Sequence, residues 1–274
     1  MKIGFNGAST MKTDLPGDIL AATRAGYDLI EIWAKKMEAY LFDHSLDDLR
    51  TLMAEAHLKP LAINSVEFIT FNAPWEKTNT INLITRYAGM ADHIGCPYIV
   101  VVPSPRPEGA TDQEVHDESV RVLRGISNRF RDYRVRFAFE FLGFGWCSVS
   151  TLEQNWAIVK AVDRENVGMV LDTFHFYAGG SSVDAIREVD PKKIFIFHIN
   201  DAEDRPKMAL QDAHRLYPGE GAIPLAEIVA GLKEIRYEGP VSLEMFRPAY
   251  WFLPAEEVAR KGIDAIRKFL GSAG

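Results

Sequence analysis

Residues 136–141 read RFAFEF, residues 167–176 VGMVLDTFHF, residues 192–204 KKIFIFHINDAED and residues 240–246 PVSLEMF. Each is a short run of β-branched and aromatic residues, apolar on both faces, as in strands of a parallel sheet covered by helices. Each is broken near its C-terminal end by one residue able to bind a metal: Glu140, Asp172, His198 and Glu244. An isolated charge in such a run costs several kcal/mol unless it is paired or coordinated. Taken singly, His198 would be a satisfied core histidine, and either glutamate a salt-bridged strand residue. Three carboxylates and an imidazole on four successive strands hold too much negative charge for one Arg or Lys to balance, and a divalent cation resolves the excess directly.

Outward from these four, the same rhythm of apolar run, polar or Gly/Pro punctuation and amphipathic segment covers the chain. The strand-like runs are Lys2–Asn6, Leu29–Trp33, Pro60–Val66, Tyr98–Pro103, Arg136–Phe141, Val167–Asp172, Ile194–Ile199 and Pro240–Phe246. Between them lie stripes of helical period. Leu46, Leu49, Leu52, Met53 and Ala56 form one, opened by a capping box at Ser45 and Asp48. Leu225, Ile228, Val229, Leu232 and Ile235 form another, stopped by Gly239-Pro240, and Ala259, Gly262, Ile263, Ile266 and Leu270 line the last. Eight βα units in 274 residues predict one (β/α)8 TIM-barrel domain spanning 1–274 rather than a doubly wound open sheet. In such barrels the chemistry sits where strands end and βα loops begin, which is where the four candidate ligands lie.

Composition narrows the class. With 31 Lys+Arg against 38 Asp+Glu, the net charge of −7 offers no general attraction to nucleic acid or to anionic membranes. Cys96 and Cys147 form neither a disulfide framework nor a metal knuckle, and read as buried free thiols of a reducing cytosol. The start MKIGFNGAST lacks the apolar core of a signal peptide, and the longest apolar stretch, Ile94 to Pro103, is far shorter than a membrane span. The expectation is a soluble cytoplasmic protein. Three oxygen ligands to one nitrogen make a hard site for one divalent ion, favouring Mn²⁺, Mg²⁺ or Co²⁺ over a structural zinc, with Zn²⁺ left open.

The segments MKIGFNGAST, DHSLDDL (Asp43–Leu49), KPLAINS, VVVP, FAFEF, NVGMVLDTFHF, KKIFIFHINDAED, PGEGAI and VSLEMFRP resemble, nearly end to end, the xylose-isomerase-like TIM barrels of the sugar isomerase/epimerase superfamily. Within it they are most similar to the 2-keto-myo-inositol isomerase family, and the last four segments carry the strongest likeness. The resemblance implies a metal held by a Glu, an Asp, a His and a Glu, matching Glu140, Asp172, His198 and Glu244. It also implies a substrate-contacting His three residues after the Asp, a place that His175 fills. The superfamily includes three-zinc abasic-site endonucleases, which need His near the ends of strands three and four and an Asp-x-His ahead of the Gly-x-Gly. Here those strands end Asn64-Ser65-Val66 and Pro103-Ser104, and the Asp-x-His positions hold Ala213 and Arg215, with Asp212 and His214 one residue out of register. A nucleic-acid substrate is therefore not expected.

A cation flanked by two carboxylates suits proton abstraction beside a ketone, with Glu140 and Glu244 as the acid–base pair. Returning the proton to the neighbouring carbon isomerises the ketone. Returning it to the opposite face of the same carbon epimerises it, and losing water from the enolate would make a dehydratase. The expected reaction is isomerisation of a neutral cyclic polyol ketone, 2-keto-myo-inositol, to its 1-keto isomer. His175, Arg247, Arg215, Asn6 and Glu31 are candidate substrate-binding residues, with Asn64 as a further pocket polar group. Trp33, Phe68, Phe71, Trp75 and Trp146 could wall an apolar pocket, and Trp251 and Phe252 could form a homodimer contact. Gly219 and Gly221 in PGEG shape a tight loop, and no nucleotide-binding segment follows a strand.

Overall fold

The computed structural model describes residues 1–271, and eight of its strands close into a parallel barrel. They are β1 (Ile3–Asn6), β2 (Leu29–Trp33), β3 (Lys59–Val66), β4 (Tyr98–Val101), β5 (Arg136–Glu140), β6 (Val167–Asp172), β7 (Ile194–Ile199) and β8 (Val241–Leu243). Each pairs in parallel with its neighbour in sequence, and β8 returns to β1 through Ile3↔Val241 and Phe5↔Leu243. The helices between them are α1 (Leu15–Ala25), α2 (Ala34–Tyr40), α3 (Leu46–Glu55), α4 (Pro74–Ile94) and α5 (Asp112–Arg129). They continue as α6 (Leu152–Val162), α7 (Thr173–Gly179), α8 (Val183–Ile186), α9 (Leu225–Glu234) and α10 (Ala255–Leu270). The (β/α)8 barrel expected from the sequence is the fold observed.

Strand alternation explains where the polar residues go. Side chains two apart on a strand share a face. Leu29, Ala138, Val170 and Ile196 cluster together inside the barrel, and each precedes by two residues Glu31, Glu140, Asp172 or His198. The polar cluster therefore rests on an apolar floor. The intervening residues, such as Ile30, Phe139, Leu171 and Phe197, belong to the larger core under the helices. The capping box at Ser45 forms as expected, Asp48 N–H donating to Ser45 Oγ (3.1 Å) and Ser45 N–H to Asp48 Oδ2 (2.8 Å). Cys96 and Cys147 are buried free thiols, pushed up by burial to about 12 and about 11.

Most strand ends fall within one residue of the sequence reading, and two strands stop two or three residues earlier. The fourth strand stops at Val101, two residues before Pro103, which has no N–H to pair. The eighth is Val241–Leu243, so Glu244 stands just beyond it. There side chains replace the ladder: Met245 N–H donates to Ser9 Oγ (3.1 Å), and the Glu244 carbonyl accepts from Asn200 Nδ2 (3.2 Å). A two-stranded antiparallel ribbon, residues 201–202 with 215–216, also forms above β7, too short to be read from periodicity.

The first βα turn, residues 7–10, follows Asn6 and is clamped by a buried ion pair. Lys36 Nζ donates to the carbonyls of Gly7 (2.8 Å) and Thr10 (2.7 Å) and to Asp18 Oδ2 (2.6 Å), and Thr10 Oγ1 donates to Asp18 Oδ1 (2.6 Å). Burial raises Asp18 to about 7 even with Lys36 beside it, and it lowers Lys36. Lys36→Met should destabilise the protein by about 3–5 kcal/mol, because it leaves a buried carboxylate without its cation. Asp18 is raised in the folded state, so folding takes up its proton between the ordinary 3.8 and about 7, and its contribution to stability falls as pH rises through that window. Urea midpoints at pH 5 and pH 8 check both points, the larger loss being expected at pH 8. Adding Asp18→Asn should recover part of it.

Candidate metal centre and cavity

Register brings the four candidate ligands together. Asp172 and His198 are direct neighbours across β6 and β7, Glu140 at the end of β5 pairs with Val170 one pleat below Asp172, and Glu244 follows β8. All four are buried, and one ligand atom from each lies within 4.8 Å of all the others. His198 Nδ1 is 3.1 Å from Glu140 Oε1, 3.3 Å from Glu244 Oε2 and 3.7 Å from Asp172 Oδ2. Across the ring, Nε2 faces both oxygens of Glu31, at 2.9 and 3.1 Å. A carboxylate behind an imidazole fixes the ring and raises the basicity of the nitrogen pointing the other way. Glu31 thus positions His198.

The charge balance is unfavourable without a cation. Among the described residues the basic groups paired with Glu31, Glu140, Asp172 and Glu244 are His198 and Arg215 alone. Burial, then the neighbouring Glu244, pushes Glu140 up to about 8 against the pull of His198, and burial raises Glu244 as well. Burial opposes the charge of His198, but Glu244, Glu31 and Glu140 together hold it well above its ordinary value. Asp172 is also disfavoured by burial, yet Arg215, His175 and His198 keep it below the usual carboxylate range. Three carboxylate oxygens and one imidazole nitrogen converging at this spacing fit one divalent ion. Glu140, Asp172, His198 and Glu244 would hold it.

Amides and a guanidinium orient the carboxylates. Asn6 and Asn64 donate from Nδ2 to Glu244 Oε1, at 2.9 and 3.1 Å. Asn200 Nδ2 donates to Asp172 Oδ2 (3.0 Å), while Asp172 Oδ1 caps α7 by accepting the His175 N–H (2.9 Å). Arg215, fully buried beside the cluster and packed on the ring of Phe174, donates to Asp172 Oδ2 (2.7 Å) and lies 3.3 Å from Glu244 Oε2. Its Nη2 lies 3.0 Å from His175 Nε2. A guanidinium can only donate, so Nε2 accepts. Burial, reinforced by Arg215, lowers His175 to about 4 and keeps it neutral. Its proton therefore sits on Nδ1, which is buried and has no partner. An N–H without an acceptor is left on a residue that lines the cavity.

That cavity, of about 220 Å³, opens above the cluster. Glu140, Glu244 and His175 reach it, with Asn64, Glu67 and Asp212 among its polar walls and no Lys or Arg among the residues lining it. Its apolar walls include Trp33, Phe68, Phe144, Trp146 and Phe246. Trp33 meets Phe246 edge-on (5.5 Å), Phe144 stacks on Trp146 (5.6 Å), and Phe68, in the left-handed backbone region at φ 58°, turns an edge to Trp146. Phe71 and Trp75 do not line it. Nor do four of the residues read as substrate contacts. Asn6 and Glu31 sit behind Glu244 and His198, and Arg215, coming from the ribbon above β7, is fully buried behind Asp172 and His175. Arg247 pairs with Glu203 (2.7 Å) and reaches the carbonyls of Ala213 and Arg215, clasping the ribbon instead. Trp251 donates to the Ala8 carbonyl (3.1 Å), and Phe252 is exposed beneath Lys12. Asn200, Glu67, Phe144 and Phe246 escaped the sequence reading, although Asn200 stands two residues after His198 and Phe246 two after Glu244, on the same inward alternation.

The model of the xylose isomerase-like TIM barrel family matches residues 19–269. The chain belongs to that family. Family members similar to it include an inosose isomerase of Bacillus subtilis, 41% identical over 278 residues covering 98% of this chain and 99% of the relative. Another, an inosose isomerase of Bacillus velezensis, is 41% identical over 265 residues, covering 95% of this chain and 94% of the relative. A solved structure in the family, of the IolI protein with a bound zinc atom, superposes with a TM-score of 0.96 at 39% identity, covering 98% of each chain. Glu31→Gln should lower affinity for a divalent ion by about 10–100-fold, since it removes the carboxylate that orients His198. Competition with a fluorescent chelator measures this, and near-UV circular dichroism should show the barrel unchanged.

Proposed function

We propose that the protein isomerises a neutral cyclic polyol ketone, converting 2-keto-myo-inositol to its 1-keto isomer through an enediolate, as a cytoplasmic enzyme carrying one divalent ion. The observation that carries the reading is that Glu140 and Glu244 both belong to the cation-fitting cluster and both line one cavity. The full-length likeness to inosose isomerases supports the substrate. The hard donor set supports Mn²⁺, and the zinc atom bound in the related IolI structure supports a divalent ion at this place. Among the described residues the cavity wall presents carboxylates and aromatic faces and no Lys or Arg, which favours a neutral substrate.

When bound, a divalent ion supplies electrophilic stabilisation of negative charge developing on adjacent substrate oxygens. Glu140 and Glu244 then act as the proton-transfer pair. One takes the proton from the hydroxyl-bearing carbon beside the ketone and the pair returns it to the former carbonyl carbon, while the hydroxyl proton passes to the former ketone oxygen, so the carbonyl moves one position along the ring with no net gain or loss of protons. Glu244 is held by Asn6 and Asn64 on one oxygen, whereas among the described residues His198 is the only side chain bonded to Glu140. The free Nδ1–H of His175 donates to the ketone oxygen as it gains negative charge. The aromatic walls pack against the C–H faces of the ring, and Glu67 and Asp212 accept from its hydroxyls.

Metal-loaded protein given 2-keto-myo-inositol in deuterium oxide should form the 1-keto isomer with deuterium at the carbon that receives the proton. NMR that showed neither isomer nor exchange would remove this substrate. Glu140→Gln and Glu244→Gln should each lower turnover by about 10²–10⁴-fold. Wild-type rates in both would refute the carboxylate mechanism.

A further inference from the structure

The PGEG turn, residues 218–221, lies outside the site yet is built around one of the most completely satisfied carboxylates in the molecule. Asp201 is 1% exposed, and among the described residues no Lys, Arg or His pairs with it. Instead it accepts four backbone N–H groups: Ala202 and Ile223 on Oδ1, and Gly219 and Gly221 on Oδ2, each at 2.9 Å. The glycines permit this closure. Gly219 has φ 87°, and a Cβ on Gly221 would stand 2.1 Å from the Ala202 carbonyl oxygen and 2.6 Å from Asp201 Oδ1. Ala222 N–H donating to the Ala202 carbonyl (2.9 Å) completes the knot.

The knot ties both ends of the 202–223 excursion, which delivers Arg215 to the site. Asp201 and Ala202 pair with Leu216 and Arg215 in the antiparallel ribbon, so the backbone of Arg215 is placed directly by the strand that Asp201 starts. From there the guanidinium reaches Asp172 and His175, and its bond to Nε2 is what leaves the His175 proton on Nδ1.

We propose that Asp201 is a positioning residue for the reaction: by locking the PGEG turn it holds Arg215 against His175 and so fixes which imidazole nitrogen offers a proton to the substrate. The proposal rests on the reading of His175 as the oxygen donor. A loop anchor of purely structural importance would give stability to the excursion without touching the tautomer, and the two roles separate by measurement.

In the full-length protein, Asp201→Asn replaces one acceptor oxygen with a donor that faces N–H groups. Nitrogen-15 NMR of the imidazoles, with His175 assigned by His175→Gln, should show a single Nδ1–H tautomer in the wild type and averaging between tautomers in Asp201→Asn. Amide exchange at residues 219, 221 and 223 should quicken, and kcat should fall about tenfold or more with KM within about twofold. Arg215→Gln should reproduce the tautomer change while those amides stay protected, and Asp201→Asn added to it should lower kcat little further. Faster loop exchange with unchanged His175 resonances and kcat would overturn the proposal, as would additive losses in the double variant. If Asp201→Asn does not fold, Gly219→Ala strains the same bonds, its Cβ meeting the Phe269 ring at 3.2 Å in a left-handed backbone conformation. If the wild type turns over no inosose, the functional reading falls, and the NMR comparison still decides whether Asp201 sets the tautomer.

Discussion

Mutual repulsion among Glu31, Glu140, Asp172 and Glu244, enclosed together at the end of the barrel, is the constraint around which this molecule is arranged. Each carboxylate alone would be neutralised by burial or would find one basic partner. Together they exceed what His198 and Arg215 can offset, and the neighbouring groups hold Asp172 ionised and keep the other carboxylates aimed. Asn6, Asn64 and Asn200 donate without adding charge. Arg215 supplies charge from the ribbon above β7, fully buried. The positions these side chains leave open all face one volume beside His198 Nδ1, which is how a hard cation site is recognised before any ion is seen in it.

The loops at this end are held by similar means, with buried charge satisfied by backbone rather than by exposed salt bridges. Lys36 spends its three donors on Asp18 and on two carbonyls of the first turn. Asp201 receives four N–H groups from the last large excursion. Arg247 ties Glu203 to carbonyls of the ribbon. A charged group that meets several backbone dipoles is strong and directional. It fixes a loop that has little apolar surface of its own to bury, and the rim becomes nearly as well defined as the strands below it.

Much of this was legible in the sequence because the barrel's inner face is an alternation that one polar residue interrupts visibly. Glu140, Asp172, His198 and Glu244 each break an otherwise apolar strand, so fold and ligands could be read together. What lay beyond the alternation was harder to see. Arg247 beside Glu244 looked like a substrate contact, but the backbone leaves the ladder after Leu243 and turns that side chain toward Glu203. Asn6 and Glu31 were rightly placed at strand ends, yet they face other side chains rather than the cavity, since distance from the barrel axis is not encoded in periodicity. Asn200 and Asp201 carried a weak signal, being polar residues directly after an apolar strand, and their partners lie up to 44 residues away. The PGEG turn was recognised as a turn, while the carboxylate it encloses was not.

The apolar floor of Leu29, Ala138, Val170 and Ile196 has one more effect. It fills the barrel immediately below the polar cluster, so the cluster opens to the cavity above, where Trp146 and Phe68 are exposed. A ring bound in that cavity would lie over Glu140 and Glu244. A seated ring then acts as a stopper, and a chelator in solution should strip the holoenzyme far more slowly while the polyol is in place.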